Sequence, residues 1–291
     1  MFPKVKDYHK KGHPMIPNGL GVVYVLVSTA FLLLLDWIKP EGIENANAAP
    51  LALTLAICIL FGGFMGLLDD WMDLKWRYKA FFPLVAAIPL ISLASQLGLR
   101  TSIVIPIFGK LDFDIYYYLI IIPLIVTITT NTVNQLGGLN GLETICPAIV
   151  AIGMMIVSGQ NAILLLLPMI MWLSLAFFNS RGRIFVGNTG SFAFGMTLAA
   201  FAIITDLKYM LLISLLPFIL NSSLILLNYF FNKTKAHVNF DGEKLSSDHV
   251  RSLVTFITYN RSLTEKQVVG IISFLVFVFT LTALILHQAF L

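Results

Sequence analysis

The chain has 291 residues and a mean hydropathy of +0.87, and its 12% of charged residues is about half the share found in soluble domains. That composition excludes an ordinary water-soluble fold and makes lipid the expected solvent. The net charge of +4 calls for no nucleic-acid partner, because membrane topology accounts for where the cations lie.

A helix needs roughly 20 apolar residues to cross the hydrocarbon core. Nine stretches are read as spans, at 19–38, 48–68, 80–98, 115–133, 142–158, 160–178, 190–205, 207–231 and 266–290. The expected fold is an all-α polytopic membrane bundle, a single domain over 1–291. The stretch 190–205 is the least typical, since Gly190, Ser191 and Gly195 predict either close packing or a broken span. The first eighteen residues, MFPKVKDYHKKGHPMIPN, are basic and polar, and the next stretch is long enough to span, so no cleavable signal is expected. Cys58 and Cys146 fall in different apolar segments and are expected to be free buried thiols.

Lys/Arg bias sets orientation. With the N-terminus cytoplasmic, the inner side holds 15 of the 19 Lys and Arg residues and the outer side only Lys39, Arg100, Lys110 and Lys208. The glycosylation triplets at Asn232 and Asn260 then fall on the inner side. The longest outer connection, 96–114, has a β-branched run around Gly109 that predicts a small interfacial hairpin.

The inner connections, near 1–18, 69–79, 131–141, 179–189 and 232–265, collect the polar chemistry. The stretch "GLLDDWMDLKWRYK" places Asp69, Asp70 and Asp73 after some twenty uncharged residues. If its helix continues, Asp73 lies one turn beyond the acid pair on the same side. In "TNTVNQLGGLNGLE", Asn131 and Asn134 share a helix face before Gly137, Gly138 and Gly141 break the helix around Asn140. Next, "FNSRGRIFVGNTGSFAFG" carries Arg181, Arg183 and a Gly187–Ser191 turn before a helix. The last connection holds Lys233, Lys235, His237, Asp241, Glu243 and Lys244, and 250–263 reads as an interfacial amphipathic segment.

Each piece has a plainer reading. The acids suit a solvated helix end, the asparagines suit helix–helix hydrogen bonds, His237 and His249 suit an ordinary surface, and the lysines suit topology alone. Their conjunction on one face points further. Carboxylate and amide oxygens suit Mg²⁺, basic side chains bind phosphate, and Gly-rich turns feeding helices expose N–H groups. That is a recipe for a diphosphate held with a divalent ion.

In that order the loops resemble those of the polyprenyl-phosphate N-acetylhexosamine-1-phosphate transferases, closest to their eukaryotic and archaeal dolichyl-phosphate branch. "KDYHKKGHPMIPNGLGVV" is similar to the family's first cytosolic segment and "GLLDDWMDLKWRYK" to its Asp-Asp loop. "TNTVNQLGGLNGLE" is similar to its amide-rich loop, "RIFVGNTGSFAFG" to its Gly-Asp-Thr loop, and "NRSLTEKQ" to the approach to its last helix. Gly137 before Gly138 and the compact last loop favour an archaeal-type member.

The resemblance implies transfer of N-acetylglucosamine 1-phosphate from UDP-N-acetylglucosamine to a polyprenyl phosphate, with release of UMP, as the first step of lipid-linked glycan assembly. It implies Asp69 and Asp70 at the lipid phosphate or metal, with base and orienting roles not separated, and Lys79 on the donor diphosphate. Asn134 and Asn188 would ligate Mg²⁺ (or Mn²⁺), Asn140 would contact uracil, and Lys233 and Lys235 would hold diphosphate and sugar. Lys10, Asp73, Trp76, Asn131, Glu143 and Arg183 complete the implied substrate-binding set. A homodimer is a further implied partner. The membrane would be the plasma membrane for an archaeal chain or the endoplasmic reticulum for a eukaryotic one, with the site facing the cytosol.

The chain also departs from the family. Asn188 stands where Asp is usual, Asn18 replaces an acid, lysines replace arginines around Thr234, and the chain begins after the usual first helix. The alternative reading is a catalytically silent protein that binds lipid phosphate or nucleotide sugar. A transporter would need mid-membrane polar residues and repeated halves, and neither is visible.

Overall fold

The computed structural model describes residues 2–38, 48–105, 109–233 and 237–290. A hairpin of β1 (Lys4–Lys6) and β2 (Met15–Pro17) leads into α1 (Gly21–Ile38), followed by α2 (Ala48–Met72), α3 (Trp76–Ala86) and α4 (Ile88–Gln96). A second hairpin, β3 (Ser102–Ile105) with β4 (Gly109–Asp112), occupies the connection where one is expected. Then come α5 (Ile122–Gln135), α6 (Leu142–Val157), α7 (Leu166–Asn179) and α8 (Gly187–Ile204). The pair α9 (Lys208–Ser214) and α10 (Leu216–Leu227) precedes a three-stranded sheet of β5 (Asn239–Phe240), β6 (Lys244–Ser246) and β7 (Leu263–Thr264). Helix α11 (Leu253–Ile257) lies inside that last connection, and α12 (Glu265–Phe290) ends the chain.

Among the described residues, seven helices are long and apolar enough to cross a membrane, or eight if α9 and α10 form one bent span. The bend there is 56°, and Pro217 at the start of α10 removes an N–H from the ladder at that point. Helix α6 is apolar but has only 16 residues. The segment read as amphipathic at 250–263 is instead the five-residue α11, closed by a Ser252–Thr255 capping box, and the strand β7.

Helix α8 is the axis of the bundle. All of Thr189–Ile204 is buried, as expected for a helix apolar on every side. Small residues make this burial possible, so the glycines and serine of 190–205 signal close packing and not a broken span. A Cβ on Gly66 would overlap the Asn188 carbonyl, and a Cβ on Gly21 would overlap the backbone of Gly190. Helices α1 and α2 therefore touch the start of α8 backbone to backbone. Gly195 meets Thr130 of α5 in the same way, with the Thr130 Cα 2.8 Å from the place of a Cβ.

At the end of the bundle away from the acid pair, Asp206 sits 2.6 Å from Lys208 and 3.6 Å from Arg100. The Lys208 ammonium also donates to the Arg100 carbonyl at 2.6 Å, which fastens the β3–β4 hairpin to α9.

Gly66→Ala is expected to destabilise the protein by about 1–3 kcal/mol, because backbone must move to admit the methyl group. Gly270→Ala, an exposed α12 position with nothing within 4 Å of a new Cβ, should leave stability unchanged or slightly raised. Thermal unfolding of both variants in detergent measures the difference.

Candidate active site

The site begins at the last turn of α2. Asp69 is 3% exposed, and its Oδ2 lies 2.8 Å from the Lys79 ammonium while Oδ1 accepts from the Leu74 N–H at 3.0 Å. A carboxylate at a helix C-terminus faces the negative end of the dipole, and Lys79 offsets that penalty. Asp70, about 100° further round the helix, points toward α8. Its Oδ1 accepts from the Asn188 N–H at 2.9 Å. Its Oδ2 accepts from the Thr189 N–H at 2.9 Å and the Thr189 hydroxyl at 2.7 Å. Helix α8 has no side-chain cap of its own, so an acid from another helix closes its N-terminus. Helix α2 stops at Met72 and Asp73 takes a left-handed φ of 46°. Asp73 is therefore an exposed turn residue, not the next rung of the helix face.

The amides tie the loops together. Asn131 donates to the Lys79 carbonyl at 3.2 Å and to that of Thr127 at 2.9 Å. One turn on, Asn134 donates to Asn188 Oδ1 at 2.7 Å and to Ser191 Oγ at 2.8 Å. Helix α5 ends at the Gly137–Gly138 pair, and Gly141, with φ 95°, starts α6. Asn140, between them, donates through Nδ2 to Asp7 Oδ2 at 2.8 Å and to Glu265 Oε1 at 2.9 Å. Its backbone N–H reaches the same Glu265 oxygen at 2.7 Å. Carboxylates accept only, so the orientation of the Asn140 amide is forced. Its Oδ1 is buried without a partner among the described residues.

Asn179 is fully buried and makes four bonds. Its Oδ1 accepts from the Gly141 N–H at 2.8 Å and the Thr144 hydroxyl at 3.0 Å. Its Nδ2 donates to Glu143 Oε1 at 3.2 Å and the Ile184 carbonyl at 3.0 Å. The N-terminal hairpin is laid against the same loop, with Phe185 N–H donating to the Pro17 carbonyl at 2.8 Å and Gly21 N–H to that of Val186 at 2.9 Å. Lys10 fastens the tip, donating to the Arg181 carbonyl at 3.1 Å.

Two cavities adjoin here. One, of about 270 Å³, is lined by Lys6, Asp7, Asn18, Asp70, Glu143, Phe185 and Asn188 among others. The other, of about 520 Å³, is mainly apolar and lies between Gln135, Asn221, Ile225, His237, Phe240 and Ser252. Tyr8, His9, Gly138 and Leu139 line both.

The smaller cavity sets three carboxylates against one lysine, so an anionic ligand enters favourably only with a cation. Among the described residues there is no group of three or more His, Cys, Asp or Glu side chains that could hold a metal ion. The donors present are oxygens, including the amides of Asn134 and Asn188. That set fits a hard divalent cation which completes its shell with ligand phosphates.

Of the residues singled out in the sequence, Asp69, Lys79 and Asn131 form one bonded group and Asp70, Asn134 and Asn188 a second, joined through the adjacent acids at the end of α2. Asn140, Glu143 and Lys10 form the adjoining wall. Arg183 and Lys233 are exposed, and no side-chain bond ties either to the cluster. The Trp76 side chain and Lys235 lie outside the described residues. Asp7, Asn179, Ser191 and Glu265 join the site unannounced by spacing. An acid inside a basic peptide (Asp7) and the first residue of an otherwise apolar helix (Glu265) were the available signals.

The apolar helical bundle thus carries an acid-and-amide cleft at one end, walled by glycine-broken helix ends. The profile of glycosyl transferase family 4 matches residues 51–206, and the chain belongs to that family. A Saccharolobus solfataricus protein is 31% identical over 292 residues, covering 97% of this chain and 87% of its own length; it is provisionally named a UDP-N-acetylglucosamine–dolichyl-phosphate N-acetylglucosaminephosphotransferase. A Dictyostelium discoideum protein of the same name is 28% identical over 265 residues, covering 74% and 62%. A Streptococcus pyogenes phospho-N-acetylmuramoyl-pentapeptide-transferase is 29% identical over 236 residues, covering 75% and 68%.

Asp70→Ala is expected to remove the cap of α8 and cost about 0.5–2 kcal/mol, with a larger loss of any activity than of stability. Asp70→Asn, which keeps one carbonyl acceptor, should retain more stability. Thermal unfolding read beside turnover separates the two effects.

Proposed function

We propose that the chain transfers N-acetylglucosamine 1-phosphate from UDP-N-acetylglucosamine to a polyprenyl phosphate of the dolichyl type and releases UMP. The observation that carries this reading is the pair of bonded groups, Asp69 with Lys79 and Asp70 with Asn188 and Asn134, at one end of the bundle, in a chain with archaeal and eukaryotic relatives named for that reaction. The Lys/Arg asymmetry supports nine spans with α6 and the bent α9–α10 pair included, the N-terminus inside and the site at the cytosolic face. There a lipid-borne phosphate meets a soluble nucleotide sugar, the start of a lipid-linked glycan.

In this mechanism an oxygen of the lipid phosphate attacks the sugar-bearing phosphorus, and the bond to the UMP oxygen breaks. A phosphate monoester has its second pKa near 6 (about the value for phosphorylated side chains). The nucleophile is therefore already largely ionised at neutral pH, and Asp69 serves to position Lys79 more than to take a proton. Lys79, held by Asp69 and by the Asn131 bond to its carbonyl, brings positive charge to the diphosphate. Asp70 holds the Asn188 end of α8 against the cleft. Asn134 and Asn188 would hold Mg²⁺ (or Mn²⁺), which when bound neutralises the diphosphate and the leaving phosphate. The larger cavity would receive the sugar or the first prenyl units.

A second reading is favoured by one observation: Asn188 brings no charge to the cation. On that reading the chain binds the same ligands without turnover. Purified protein, radiolabelled UDP-N-acetylglucosamine, a polyprenyl phosphate and Mg²⁺ provide the test. Lipid-extractable label is expected from the wild type, reduced about a hundredfold or more in Asp69→Asn. Label made only by Asn188→Asp would instead favour the silent reading.

A further inference from the structure

Glu143 has unused chemistry. Of the three carboxylates lining the smaller cavity, two are engaged within the chain. Both Asp70 oxygens accept from Asn188 and Thr189, and Asp7 accepts from the His9 N–H and from Asn140. Glu143 is held differently. Asn179, itself fully buried and locked by four hydrogen bonds, donates to Oε1 alone, and the Val186 N–H faces the carboxylate. No side chain among the described residues donates to Oε2, and no lysine or arginine pairs with it there.

The position of Oε2 is informative. A Cβ on Gly137 would lie 3.3 Å from both Glu143 Oε2 and the Asn134 carbonyl oxygen, so Oε2 rests against the turn that carries Asn134. Glu143 and Asn188 line the same cavity, and Asn134 is bonded to Asn188 at 2.7 Å. Oε2, to which no side chain donates among the described residues, therefore lies close to the turn carrying Asn134, at the cavity that Glu143 lines together with Asn188. Hard divalent cations take carboxylate oxygen readily, and neutral amides alone leave their charge uncompensated.

We propose that Glu143 is an anionic ligand of the divalent cation in this chain, supplying through Oε2 the negative charge that Asn188 does not. The inference rests on the reading of the site as one that binds a cation together with nucleotide phosphate. Asn179 is then a positioning residue, since it holds Oε1 and donates nothing to Oε2.

The test is Mn²⁺ binding to the purified full chain, followed by electron paramagnetic resonance with UMP present and no lipid acceptor. Glu143→Gln keeps an Oε1 acceptor for Asn179 and is expected to weaken Mn²⁺ binding about tenfold to a hundredfold. Adding Asn188→Asp to Glu143→Gln should recover most of the lost affinity, which a merely structural role would not permit. Undiminished Mn²⁺ binding by Glu143→Gln, or a loss that Asn188→Asp leaves in place, overturns the assignment. A wild type that binds Mn²⁺ with UMP but forms no lipid-linked product leaves the cation assignment standing and removes the transferase reading.

Discussion

The bond from Asp70 to the start of α8 is the contact on which the cleft depends. A helix N-terminus has unpaired N–H groups and a partial positive charge, and α8 begins where small residues let neighbouring backbones press close. Its N-cap residue, Val186, carries no side-chain acceptor, and the acid arrives from α2. One interaction therefore sets the depth of α2 against α8, brings Asn188 within reach of Asn134, and turns Asp69 away toward Lys79. The two acids are adjacent in sequence yet have separate partners and separate work.

The amides form a second level built on the first. Asn131, Asn134, Asn140 and Asn179 each join segments far apart in the chain. Such residues suit a membrane protein, because they tie segments together by hydrogen bonds without bringing charge into an apolar surround. Charge is instead concentrated in the small cavity, where a cation and a diphosphate can balance it.

Much of this was legible in the residues. The low charge, the apolar stretches and the 96–114 hairpin follow from composition, period and spacing, the Lys/Arg bias sets the acid and amide loops on one face, and Asn188 beside Asn134 is implied only by the family resemblance. The rest was not, for physical reasons. The left-handed turn at Asp73 ends a helix that periodicity alone would extend, since aspartate tolerates that conformation without announcing it. Nothing in the spacing of Asp7, Asn140 and Glu265 shows that they meet, because a hydrogen bond across the whole chain leaves no local pattern. The short α11 owes its form to the Ser252–Thr255 capping box, and helical period is no guide to five residues.

The meeting of Asp7 and Glu265 on one asparagine amide bears on how the protein is made. The β1–β2 hairpin is synthesised well before Asn140 and the Phe185 backbone that it pairs with, and Glu265 of α12 follows later still. Contacts of such sequence separation form late. The wall of the cleft therefore closes only once α12 is inserted, and a chain stalled before that point carries the acid pair without a finished cleft.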